Sequence, residues 1–387
     1  MTRARACLRL MLLLPWLPAV SCAANGPPRP PLLPMAAAWK TLLPDFVTPP
    51  LAADSRRIYV ATRDQSVRAL DQTTGAVAWK VDGLEGRLSA ADGTLLVRAE
   101  DGTLTSLQPR TGGVRWTAPT GVGGSLPAVI DQDRALVAGR GLAAVELASG
   151  RVLWTDASAA VTAPPVRAGA RLLSGEADGT LRCRDRATGA SLWTVRTGKA
   201  LLAPPLVDLA GGRLYLGTTD KRILELKLDR GDRGWRWTVG ADVAHAGLLL
   251  PDLVLFAPFD AVLYAIHRGG NLAWRGSLPS RPLSGPLLVS GYLLVACLEN
   301  ELVAFAPESG KKVGSLRTAA EIRTPPLVAG PVLALGLRDR SVIGYALPGG
   351  ALAPPAVTPA APEAPGTPPP GTPPGTPPRL EAAPPGR

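Results

Sequence analysis

A tryptophan that recurs every 37–44 residues, short apolar runs separated by turn residues, and a last unit lacking the strand that the N-terminal end could supply together predict an all-β chain, closed into an eight-bladed β-propeller. One unit shows the plan. Arg57–Thr62 and Val67–Asp71 read as alternating, β-branched strands around the turn Arg63-Asp64-Gln65-Ser66. The turn Gln72-Thr73-Thr74-Gly75 then leads to a strand ending at Trp79. Copies end at Trp116, Trp154, Trp193, Trp237 and Trp274, and a seventh has Gly314 where the tryptophan should stand. Counted from Trp39, the spacings are 40, 37, 38, 39, 44, 37 and 40 residues, the size of a four-stranded blade.

The turns repeat as well. Asp64, Asp101, Asp178, Asp220, Asp260, Asn300 and Asp339 stand between second and third strands, where such side chains bond their own backbone and tolerate left-handed geometry. Gly139-Arg140-Gly141 takes that place in the third unit. The next hairpin carries Gly75, Gly112, Gly150, Gly189 or Gly310, and glycine reaches positive φ without steric cost. Proline pairs (Pro49-Pro50, Pro164-Pro165, Pro204-Pro205, Pro325-Pro326) open the innermost strands, where few ladder donors are needed. At the ends, Trp39 has no strands before it, and residues 327–347 supply three strands without a fourth. Joining them completes an eighth blade by N-terminal-strand closure and removes two free sheet edges. Seven blades is the alternative, if the irregular fifth unit is not independent.

Residues 1–9 carry three arginines and no acid, and Leu10–Pro18 is apolar but shorter than the roughly 20 residues that span a bilayer. Ala19, Val20, Ser21 and Cys22 follow, the layout of a secretory signal peptide over 1–21. Its end resembles a bacterial lipobox, which implies cleavage between Ser21 and Cys22 and acylation of Cys22. Ala19 stands where that pattern usually has leucine, and cleavage near Ala23 without a lipid is the alternative. Two or three acyl chains, at about 0.8 kcal/mol per buried methylene, would hold the protein on a membrane. Residues 22–35 read as a Pro-rich linker, 36–350 as the propeller and 351–387 as a Pro-rich, extended or disordered tail with Gly-Thr-Pro-Pro at 366–369, 371–374 and 375–378.

The net charge is +11, part of it in the leader and linker, and no basic run interleaved with aromatics appears, which disfavours nucleic acid as a partner. His245 and His267 are too few to propose a metal site, and Cys183 and Cys297 are expected to be buried free thiols.

The segment Ala69–Trp79, ALDQTTGAVAW, matches the A-x-D-x-x-T-G-x-x-x-W motif, and over residues 36–348 the chain resembles the PQQ-like propeller repeat family. That resemblance implies that Trp39, Trp79, Trp116, Trp154, Trp193, Trp237 and Trp274 dock each blade on its neighbour, with a weaker seam at Gly314. Quinone-dependent dehydrogenases of this family are longer and carry a vicinal disulfide, Ca²⁺ ligands and a catalytic aspartate. None is recognisable here, so no catalytic residue, cofactor or metal is expected. The order of signal, lipid site, linker and eight repeats is similar to that of the outer-membrane assembly factor B family. This resemblance implies a non-catalytic lipoprotein on the outer membrane, facing the periplasm. Its partners would be the barrel-assembly complex, through the central barrel subunit, and nascent outer-membrane proteins. A binding or sensor lipoprotein of another kind, in the periplasm or at the cell surface, is the alternative, and a quinone dehydrogenase a third.

Overall fold

The computed structural model describes residues 31–91 and 93–348; Ser21 and Cys22, with the rest of the leader, and the Pro-rich tail lie outside the described residues. Among the described residues, thirty-two strands form eight four-stranded antiparallel sheets. Blade 1 takes Val47–Ala53, Arg57–Thr62, Ser66–Asp71 and Val77–Asp82, called strands A to D in order. Blades 2 to 7 repeat this and end at Pro119, Asp156, Arg196, Thr238, Ser277 and Arg317. A strands of adjacent blades approach one another, so A lies innermost and D outermost. The fifth unit has its own complete sheet, from Leu206–Asp208 to Arg233–Thr238, and the seven-blade alternative falls.

Blade 8 is built from both ends of the propeller. Leu327–Ala329, Val332–Gly336 and Ser341–Ala346 supply strands A to C, and Ala37–Leu42 is strand D. Trp39 faces Gly344, Lys40 faces Ile343 and Thr41 faces Val342 across the ladder. A ring closed this way leaves no open end to the stack of sheets.

The sequence reading expected alternating strands, but alternation holds only for the outer ones. Strand D of blade 1 alternates, whereas Ile58–Thr62 and Ser66–Leu70 are buried without a break. Strands B and C lie between two neighbouring blades, so both faces are covered and both select apolar or small residues. Opposite each docking tryptophan outside the fifth blade, strand C carries a small residue: Ala69, Ser106, Ala144, Cys183, Ala265 or Gly344. Cys183 is therefore a space-filling thiol, and it and Cys297 are both free and buried. Burial pushes the Cys297 thiol up to about 11, which keeps it neutral.

Each strand order gives the ring two faces. A–B hairpins and C–D turns share one, called here the hairpin face; B–C turns and the links from D to the next A form the other, the loop face. On the loop face Asn300 itself takes left-handed geometry, at φ +69°, but the turn aspartates do not. Asp101 and Asp178 accept the N–H two residues on, and the residue after the aspartate (Gln65, Lys221, Ala261, Arg340) takes positive φ. The segment read as a linker also differs from expectation. Leu32, Leu33 and Met35 are buried in one cluster with Leu294, Leu302, Leu335 and Ile343 of blades 7 and 8. The apolar residues among its prolines have a hydrophobic destination, and the chain is fixed to the ring before strand D of blade 8 begins.

Candidate interaction surface

The seams between blades decide what surface the ring can present, and the tryptophans lie in them. Trp39, Trp79, Trp116, Trp154 and Trp274 donate Nε1–H to the carbonyls of Gln72, Pro109, Leu147, Arg186 and Pro307, one or two residues after strand C in the next blade. Three residues further on, the turn glycine lies under the indole. A Cβ on Gly112 would meet Trp79 Cε3 at 2.8 Å and Val81 Cγ2 at 2.6 Å, and its φ of +78° is itself a left-handed position that glycine takes freely.

Trp237 does not hold this place. Trp235 does: it is the third residue of strand D, as Trp79 is, and donates to Arg268 O at 2.9 Å with Gly270 beneath its ring. Trp237 lies one step further along the same face of the strand and donates to Gly270 O. The Gly-x-x-x-Trp part of the motif, applied to Gly231, would have picked Trp235; the fifth-unit spacing of 44 picked the last tryptophan instead. Glu225 replaces the small residue beside Trp235, and Arg213 pairs with it at 3.2 Å. Trp193 sits over Gly231, and its buried Nε1 has no hydrogen-bond partner.

The seams hold a second prong that no sequence motif marks. The first residue of strand B is arginine in blades 1, 3, 4 and 5, and each reaches the same turn as its tryptophan. Arg57 donates to Pro109 O, Arg134 to Arg186 O, Arg171 to Leu228 O and Arg213 to Arg268 O, at 2.9–3.3 Å. Ion pairs add to two seams: Arg186 binds Asp131 and Asp133, and Arg268 binds Asp208 at 2.7 Å. The Arg134 and Arg186 guanidiniums hold the Asp133 carboxyl well below the usual range. The seam at Gly314 has no indole; Leu33 stands against it, 3.1 Å from where a Cβ would lie.

The loop face carries a cluster of aromatic, arginine and apolar groups. Arg281 lies 3.5 Å over the Phe259 ring, and His245 meets the same ring edge-on at 5.2 Å. The His245 Nε2–H donates to Pro282 O at 3.2 Å. Burial lowers the His245 pKa, Arg281 lowers it further and the Pro282 carbonyl opposes them, so the ring is neutral at pH 7. Beside it a cavity of about 320 Å³ is lined by Leu248, Leu283, Pro286, Leu287 and Pro326. Arg63 stacks on Phe46, and Leu202 and Leu298 are exposed on the same face. Half-exposed Leu288 and Val328 lie mid-strand on the innermost strands of blades 7 and 8. Rigid aromatics, arginines and an apolar cavity on fixed turns suit binding of another polypeptide. Among the described residues no group of three His, Cys, Asp or Glu side chains is placed to hold a metal ion.

The comparisons with known proteins agree with this architecture. The family described as outer membrane protein assembly factor BamB matches residues 36–121, 138–256 and 259–352. The outer membrane protein assembly factor BamB of Yersinia pestis is 26% identical over 284 residues, 66% of this chain and 70% of that protein. The serine/threonine-protein kinase AfsK of Streptomyces griseus is 30% identical over 190 residues, 43% of this chain and 23% of the kinase. The crystal structure of BamB from Moraxella catarrhalis superposes with a TM-score of 0.67 at 20% identity, covering 81% of this chain and 98% of that one.

Proposed function

Because the chain belongs to the family of the outer membrane protein assembly factor BamB, we propose that it is a non-catalytic scaffold that helps outer-membrane β-barrel proteins assemble and insert. The observation that carries this reading is the family match, which runs through nearly the whole ring from strand D of blade 8 to the end of its strand C. The partners are the barrel-assembly complex, through its central barrel subunit, and nascent barrel proteins. The loop face is the docking side, through Phe259, Arg281, Phe46 and the apolar cavity. Acylation at Cys22, after cleavage behind Ser21, holds the ring on the outer membrane facing the periplasm.

Affinity capture from detergent-solubilised envelopes is the test. The barrel-assembly complex should be recovered, and recovery should fall when Phe259 and Arg281 are both changed to alanine. Recovery of unrelated partners alone defeats the reading. Cys22→Ala should move the protein from the membrane to the soluble envelope fraction, and persistent membrane association would argue against the anchor. A second reading is an envelope binding module of another kind; the repeats also resemble part of the kinase AfsK, which is not named as an assembly factor. Under it, deleting the gene leaves outer-membrane barrels at normal abundance.

A further inference from the structure

On the hairpin face, the seam between blades 6 and 7 differs from four others. Where blades 1, 3, 4 and 5 begin strand B with an arginine that crosses the seam, blade 6 has Leu253. Among the described residues no arginine donates to Pro307 O beside the Trp274 Nε1–H. A cavity of about 390 Å³ opens there, lined by Leu250, Pro251, Leu253, Ala273, Trp274 and Pro307. Asp252, Glu308 and His267 stand at the same cavity. An indole flanked by prolines and leucines is the surface on which polyproline II segments pack, because their rings are pre-ordered and lose little entropy on binding.

The chain carries a sequence of that composition. Residues 349–387 contain three Gly-Thr-Pro-Pro units, and Pro377-Pro378 is followed by Arg379. The described chain ends on the correct face: Leu347 donates to Pro331 O in the A–B hairpin of blade 8, next to blade 7. The roughly 25 residues from Pro348 to Pro373 reach as far as about 75 Å, at about 3.1 Å each when extended.

We propose that the Pro-rich tail docks back on its own ring, with Pro373–Pro378 packed on Trp274, Leu253 and Pro307 and Arg379 beside Asp252 and Glu308. The open seam is then a built receptor for the tail. The proposal is independent of which partner the loop face binds, since the two sites lie on opposite faces.

The test uses the full-length protein with a benzophenone amino acid at Thr376. On irradiation, crosslinks should form within one chain and map by mass spectrometry to residues 250–253 and 307–308. Leu253→Arg should place a guanidinium in the cavity, as blades 1, 3, 4 and 5 place one in their seams, cutting the crosslink about tenfold while the midpoint of thermal unfolding stays level or rises. Pro373, Pro374, Pro377 and Pro378 replaced together by alanine should do the same from the tail side, without touching the ring. Crosslinks between two chains, crosslinks mapping elsewhere, or an undiminished yield in Leu253→Arg would each overturn the proposal.

Discussion

The seam between blades 1 and 2 and the seam between blades 7 and 8 close the same kind of gap by different means. In the first, Trp79 and Arg57 converge on Pro109 O, two directional bonds from one blade to a single carbonyl of the next. In the second, the tryptophan position is Gly314, and Leu33 fills the space from a part of the chain far away in sequence. The repeat clamp is encoded inside each unit and fixes geometry by hydrogen bonding. The plug fixes only volume, and it works because the N-terminal segment is already tied to the ring at Trp39. A blade can therefore lose its clamp if something else buries the surface.

The largest expected effect tests that tie. Trp39 is 8% exposed and donates to Gln72 O, so Trp39→Ala should lower stability by about 3–5 kcal/mol. Urea unfolding checks it, and a loss below about 1 kcal/mol would mean that the ring holds without its latch. Next comes the fifth blade. Trp235→Ala should cost about 2–4 kcal/mol and Trp237→Ala clearly less, because only Trp235 lies over the turn glycine. Equal losses in chemical denaturation would break the distinction between clamp and flank.

The plug can be probed by giving blade 7 its missing tryptophan. Gly314→Trp should destabilise by about 1–3 kcal/mol because Leu33 occupies the space, and Leu33→Ala in the same chain should recover part of that loss. A double-mutant cycle reads the coupling; strict additivity would place Leu33 outside the seam. The second prong is worth less. Arg134→Ala should cost about 1 kcal/mol, the usual net value of a hydrogen bond, in thermal unfolding.

The smallest effect is a pH dependence on the loop face. His245 has a folded pKa below its unfolded value of 6.5, so the unfolded chain binds the proton more readily. Stability should fall as pH drops through about 6.5 towards the folded pKa, and His245→Gln should flatten that part of the profile. An unchanged profile would show that the ring of His245 is not buried against Phe259 and Arg281.

Blade number and closure were legible because both follow from the repeat itself: each unit carries its strands, turns and tryptophan, and the unit lacking one element names what the other end must bring. The same motif held the answer for Trp235, but in the fifth unit two tryptophans lie two residues apart and only the count from Gly231 separates them. The burial of Leu32, Leu33 and Met35 was not legible, since prolines around them read as linker and their partners lie in blades 7 and 8. Arginines that cross the seams were hidden for a different reason. Their acceptors are backbone carbonyls, which leave no mark in side-chain chemistry. The loop-face cluster joins Phe259, Arg281 and His245 from three separate turns, and no local pattern connects them.

Strand D of blade 8 has a consequence for how the molecule is made. Trp39 pairs with Gly344, so a chain emerging N-terminus first carries its opening strand unmatched through the synthesis of every blade. Until Ser341–Ala346 has left the ribosome there is no ring, only a growing arc with a sticky edge at each end. Any product that stops short of that point is an open arc, and a circular permutant cut between blades 1 and 2 would move the vulnerable junction without abolishing it.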